Sequence, residues 1–330
     1  MTGVWRGPAA GVNPAPMRPG LHTRKSLILL AETAGIFAAL LAGTLAALRW
    51  LPPGPAWPAI LLLAVAQGLW LDRLYTVAHE AVHLKLFPGR RLANDLVGMA
   101  LMVPVVAPFT IFRRIHGFHH GGNRRDRATA ALDHMRVPET AGPGAAAARR
   151  GLWYFYVFAG GFFLHTLAAI LIFLLVPGRR AERISPVFRA WPSRLRLLSW
   201  AQFLAGIGVH AGFAAAFGGV AWAAALGLPL LVFAWFWSML LYVYHYRTSV
   251  GGDVRLNVRS LPRQPFFSWL LLNFNEHSTH HRDPTIPWYD LPRRRTALPP
   301  SHAANQDCES LVQAVLRQRA GPILWSGERP

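Results

Sequence analysis

Apolar residues in this chain fall in long blocks rather than at the periodic spacing of a soluble core. Residues 26–48 carry one charge, Glu32, and residues 56–71 carry none. Further apolar blocks run over 92–112, 152–176 and 197–244. A helix needs roughly 20 apolar residues to cross a bilayer, so the pattern predicts an all-α integral membrane protein. Spans are expected at about 26–48 and 56–76, the second returning the chain just before His79. Two more form a hairpin within 197–244. Pro104 and Pro108 interrupt 92–112, which therefore reads as interfacial or re-entrant.

Charge decides the remaining block. The 330 residues are 53% hydrophobic and 15% charged, with 34 Lys+Arg against 15 Asp+Glu. The basic residues border the apolar blocks, as the positive-inside bias predicts, where they also meet anionic headgroups. No nucleic-acid recognition motif accompanies the charge, so no nucleic-acid partner is expected. Segment 177–196 holds Arg179, Arg180, Arg183, Arg189, Arg194 and Arg196. If 152–176 spanned the membrane, those arginines would lie outside. It is therefore read as interfacial or re-entrant, giving about four transmembrane helices in all. The alternative, in which 152–176 spans and 197–244 is one long helix, stays open. Residues 1–24 are Pro/Gly-rich and read as a disordered cytoplasmic segment rather than a signal peptide. Residues 25–319 read as one membrane domain and 320–330 as a tail, with a short helix near 307–319. The single cysteine, Cys308, excludes an internal disulfide and a multi-cysteine metal site.

Eight of the 14 histidines fall in three short strings: His79/His83, His116/His119/His120 and His277/His280/His281. On a helix, residues three and four apart share a face, so HxxxH and HxxHH each aim two or three imidazoles one way. Imidazole is a neutral ligand for iron, zinc or copper. One ion takes roughly four to six ligands, so eight suit two ions. A lone histidine is ordinarily a core or surface residue, and His165 and His210 are read as core or interfacial. His22, His134 and His302 are read as solvated. His79-Glu80-Ala-Val-His83 also matches the HExxH string of zinc proteases, with Glu80 as base. That reading leaves the other six histidines unexplained.

The three strings, in this order and separated by apolar blocks, resemble those of the membrane fatty-acid desaturase superfamily. The likeness includes Leu86-Phe87-Pro88-Gly89-Arg90-Arg91-Leu92-Ala93-Asn94-Asp95 after the first string and Asn273-Phe274-Asn275-Glu276 before the third. It continues in Pro287-Trp288-Tyr289-Asp290-Leu291-Pro292, and covers about residues 26–319. The resemblance implies a helical membrane stem, a cytoplasmic histidine-rich cap, two iron ions held by the eight histidines, and O₂ as co-substrate. Members often recruit a further histidine upstream of the third string, for which His245 is the candidate. No residue beyond the metal ligands is singled out as catalytic. Glu80, Asp95, Asp126 and Glu276 are candidate carboxylate supports for the ligands. The acids expected soon after the second string appear only as Asp126 and Asp133, so that segment reads as remodelled. No His-Pro-Gly-Gly haem string is present, so a separate donor of ferredoxin, rubredoxin or cytochrome type is implied.

The expected activity is O₂-dependent desaturation of a fatty-acyl or lipid chain. Alternatives are a carotenoid or alkane hydroxylase or ketolase, an oxidative fatty-acid decarboxylase, an intramembrane zinc metalloprotease, and a non-catalytic membrane binding protein.

Overall fold

The structure, a computed structural model, describes residues 19–127, 129–130, 133–308 and 310–326. Residues 1–18, part of the segment expected to be disordered, and 327–330 lie outside the described residues. In chain order the first elements are α1 (Pro19–Trp50), α2 (Pro53–Val82), α3 (Arg91–Met102), α4 (Phe109–Gly122), β1 (His134–Arg136) and α5 (Pro143–Phe158). Next come α6 (Gly161–Leu175), α7 (Gly178–Ile184), α8 (Ser193–Phe217), α9 (Gly219–Trp222) and α10 (Leu228–Leu240). The last are α11 (Pro265–Leu270), α12 (His277–Arg282), α13 (Leu311–Arg317) and β2 (Ile323–Trp325). The chain forms two compact units, residues 19–116 with 169–233, and residues 117–168 with 234–326.

In the first unit, α1 and α2 form an antiparallel pair closed by Trp70, whose indole N–H donates to the Thr33 carbonyl at 2.8 Å. Small and apolar residues, Ala47, Ala56, Ile60 and Ala224, fill the interface. Leu27, Ile28, Leu61, Leu62 and Val65 face outward, as helix surfaces do when the surrounding solvent is hydrocarbon rather than water. α2 is longer than the span expected from the apolar block. It continues through His79 because no Pro or Gly follows Gly68, and it stops at Leu84, whose φ of 59° is left-handed. Pro104 and Pro108 break the block at 92–112: α3 with the turn Val103–Val105 meets α4 at 102°.

The block at 152–176 is broken as well. Gly160, at φ 78°, separates α5 from α6 and the two helices bend by 91°. Only glycine adopts that φ without Cβ strain. The block at 197–244 is two helical stretches rather than one, parted at Gly218 (φ 88°). One π turn, Ala223–Gly227, joins α9 to α10, and Gln67 Nε2 donates to its Ala225 carbonyl at 2.7 Å. Among the described residues four helical stretches are long and apolar enough to cross a membrane: 20–50, 53–82, 193–217 and 219–240. Counting each bent pair as a span would make six.

The second unit holds an element that the all-α expectation did not contain. β1 and β2 pair in parallel, His134 opposite Ile323 and Arg136 opposite Trp325. Three-residue strands carry too little alternation to be read from sequence. Arg127 and Arg136 stack over the Trp325 ring at 4.1 and 5.0 Å. The residues just before it are equally fixed: Trp153 Nε1 donates to the Gln318 carbonyl, and the Tyr246 hydroxyl donates to Gly321 O. Residues 318–325 are thus packed into this unit rather than trailing from it.

Candidate metal centre

In the second unit four imidazoles converge. α4 supplies His119, the turn after α10 supplies His245, and α12 supplies His277 and His281. His245 Nε2 lies 3.0 Å from His277 Nε2, which lies 3.2 Å from His281 Nε2, which lies 3.2 Å from His119 Nε2. His245, His277 and His281 are buried. A neutral imidazole has one N–H and one lone pair, so each Nε2 can serve one hydrogen bond. Three Nε2–Nε2 contacts along four rings exceed that supply. A cation at the centre satisfies all four lone pairs at once. Metal–nitrogen bonds of about 2.0–2.1 Å put neighbouring nitrogens about 2.8 to 3.4 Å apart for right-angle to tetrahedral arrangements, a range that contains the three spacings found here.

Burial holds the His245 and His281 imidazoles well below the usual histidine pKa, and the neighbouring histidines add to the effect. Both are therefore neutral at pH 7, the state a ligand needs. His120 and His280 form a second contact in this unit, Nε2 to Nε2 at 3.1 Å.

Three histidines gather in the first unit. His79 on α2, His83 at its C-cap and His116 on α4 have ligand nitrogens within 4.8 Å of one another. His83 Nε2 lies 2.8 Å from His116 Nε2. His79 has a carboxylate neighbour: Glu80 Oε1 is 3.6 Å from its Nδ1 and 2.6 Å from the Lys85 ammonium. All three groups are buried. An ion pair with Lys85 suits Glu80 to orient an imidazole, and does not suit the free base of a protease.

The other candidate carboxylates take different roles. Asp95 pairs with Arg113 and Arg91. Asp126 caps its own turn, accepting from the Thr129 N–H. Glu276 pairs with Arg295 and Asn275. None of these contacts is with a histidine of the three strings. Two histidines expected to be solvated are not. His22 is buried and its Nε2 contacts the Lys85 carbonyl, while His134 is partly buried with Arg124 Nη2 at 2.8 Å from its Nε2. The partner of His22 is distant in the chain, and that of His134 lies ten positions before it, outside any helical spacing. His302 contacts the Ser301 hydroxyl. His210 is held by the Pro104 carbonyl and Trp222, and His165 lies against Tyr156.

What holds His245 in place had little signal in the sequence. Arg124 is buried at a left-handed φ of 47° and pairs with buried Asp133 at 2.7 Å. The same guanidinium donates to the carbonyls of Thr248 and Ser249, while Asp133 accepts from the Arg247 N–H at 2.8 Å. Asn257 accepts from Ser249 Oγ and donates to the carbonyls of Arg124 and Gly251. This ion pair fixes the strand of chain that leaves His245. Asp133, the acid whose late position suggested remodelling, is one half of the clamp.

Membrane-length helices together with metal-ready sets made only of histidine define a class: membrane-associated histidine-box metalloproteins. Within it, the sequence profile of the family described as fatty acid desaturase matches residues 55–306, and the chain belongs to that family. No curated protein matches the chain. Family membership implies a desaturase-type oxidoreductase in a membrane setting and suggests a lipid substrate, and the histidine sets fit a metal site.

Proposed function

We propose that this protein is a di-iron enzyme that uses O₂ to introduce a double bond into a fatty-acyl or lipid chain. The balance is R–CH₂–CH₂–R plus O₂, two electrons and two protons, giving R–CH=CH–R and two waters. The electrons come from a separate carrier protein. The observation that carries the reading is the set His119, His245, His277 and His281, whose Nε2 atoms face one another at 3.0–3.2 Å. These four hold one iron. The second iron is assigned to the remaining histidines of the three strings, as the family resemblance implies.

When bound, the iron pair supplies the reduction of O₂ and the removal of hydrogen from an unactivated C–H bond. The chain's own residues do the rest. The histidines present neutral lone pairs, Glu80 orients His79, and the Arg124–Asp133 pair keeps His245 in line. Burial of the ligands keeps water from the oxidising centre, so that the substrate is its nearest oxidisable neighbour. The arginines of 177–196 favour a cytoplasmic face for the cap.

The test is lipid profiling of an expressing host, with the wild type and with His280→Ala, beside metal analysis of the purified protein. A new double bond that His280→Ala abolishes, with about two irons per chain, supports the reading. A new hydroxyl or a lost carboxyl would reassign the reaction, and a single zinc with no iron would overturn it.

A further inference from the structure

Segment 177–196 belongs to the first unit and takes no part in the histidine sets. It is held rigidly. Phe173, Phe188 and Trp191 form a buried aromatic cluster, with ring centroids 4.5 and 4.9 Å apart. From α4, Arg114 donates through Nε to the Val187 carbonyl at 2.9 Å and through Nη2 to the Arg189 carbonyl at 2.6 Å. Arg114 stands two residues before His116. The loop is therefore tied by two charge-assisted hydrogen bonds to the helix that carries a histidine of the second string.

On this scaffold stand Arg179, Arg180, Arg183, Arg189, Arg194 and Arg196. The first five are exposed. Among the described residues none of the six is in an ion pair, and the one acid of the segment, Glu182, accepts from the Ala190 N–H instead. One exposed apolar residue, Ile184 (61% exposed), stands among the arginines, and two more flank them, Leu175 at 59% and Leu197 at 73%. Arg194 and Arg196 lie in the opening turns of α8, one of the membrane-length helices. A hydrocarbon-facing surface would not carry six guanidinium groups, and the segment runs directly into a membrane-length helix. The headgroup layer at the end of such a helix accommodates both the charges and the apolar side chains.

We propose that 177–196 is a binding surface for anionic phospholipid headgroups. Through Arg114, a bound lipid steadies α4 and with it His116. Guanidinium groups pair with phosphate through two parallel N–H donors, and the segment's backbone needs no rearrangement to present them. Zwitterionic lipid offers the same phosphate but no net charge, so the preference is for acidic lipid.

The experiment uses the full chain in nanodiscs of phosphatidylcholine containing about 30 mol % phosphatidylglycerol, within the range where surface charge governs such contacts. The ratio of the two lipids that stay with the protein after brief detergent extraction is read by mass spectrometry. Wild type is expected to retain phosphatidylglycerol several-fold above its bulk share, and the enrichment falls at high salt. In the variant Arg179→Gln/Arg180→Gln/Arg183→Gln/Arg189→Gln the ratio returns to bulk, each lost charge weakening the contact about five-fold. The corresponding four Arg→Lys changes keep most of the enrichment, which shows that the Gln variant's loss is one of charge rather than of folding. Arg114→Gln retains the enrichment but loses the lipid-dependent rise in unfolding temperature. A ratio unchanged by the Gln variant overturns the proposal. So does a Gln variant that binds lipid normally and binds an acidic electron carrier poorly, since the surface would then serve a protein.

Discussion

The two units gather their histidines in different ways. In the first, His79 has a carboxylate beside it, and that carboxylate is balanced by Lys85. In the second, His119, His245, His277 and His281 meet nitrogen to nitrogen, and the charges that matter lie behind the ligands, in Arg124 and Asp133. One set is oriented through a side chain adjacent in sequence; the other through the backbone of the segment that follows a ligand. The difference teaches that a ligand outside the strings needs a scaffold of its own. His79 and His83 inherit their spacing from a helix, whereas His245 sits at the end of a turn whose course is set by residues more than a hundred positions away.

The largest effect should come from breaking the second unit's clamp. Asp133→Asn or Arg124→Met leaves a buried charge without its partner, which costs about 3–5 kcal/mol. Thermal unfolding and metal content measured together should both fall. Arg124→Met with Asp133→Leu should cost less than either single change, because no charge is then stranded. In the first unit Glu80→Gln removes the carboxylate that faces both His79 and the buried Lys85 ammonium, and should weaken metal binding about 10–100-fold. Competition with a chelator reads that change. Equal effects of the two perturbations would erase the distinction between the units.

A third prediction concerns acid. The His245 and His281 imidazoles titrate far below the ordinary value in the folded chain, whereas unfolded they take protons near about 6.5. The unfolded state then binds more protons, so stability is full above that value and declines as pH falls below it. Unfolding free energy measured from pH 8 to pH 5 on the metal-free protein should be flat at first and then drop. A rise on acidification would contradict it. The smallest effect belongs to Asp95→Ala. Its pair with Arg113 is partly exposed and that with Arg91 largely so, and such pairs contribute at most about 1 kcal/mol.

Much of this was legible in the sequence, for physical reasons that differ by feature. The helices were, because their blocks of apolar residues exceed what a soluble core needs. The bends were half legible: Pro104 and Pro108 announce one, while Gly160 and Gly218 are two among 29 glycines. The histidine strings declare themselves through helical spacing. Arg124, Asn257 and Lys85 did not, since nothing local marks a guanidinium that will hold the carbonyls of Thr248 and Ser249. His22 was misread for the same reason, its partner being distant in the chain, while His134 meets Arg124 across a turn that no helical spacing marks. The paired strands at 134–136 and 323–325 were too short to show a period.

The central claim is that the histidines hold two irons, one of them on the four-histidine set that includes His245. The direct measurement is iron per chain in the purified protein, for wild type, His245→Ala and His210→Ala. The account predicts about two, about one and about two. Two irons in His245→Ala, or zinc in place of iron in the wild type, would contradict it.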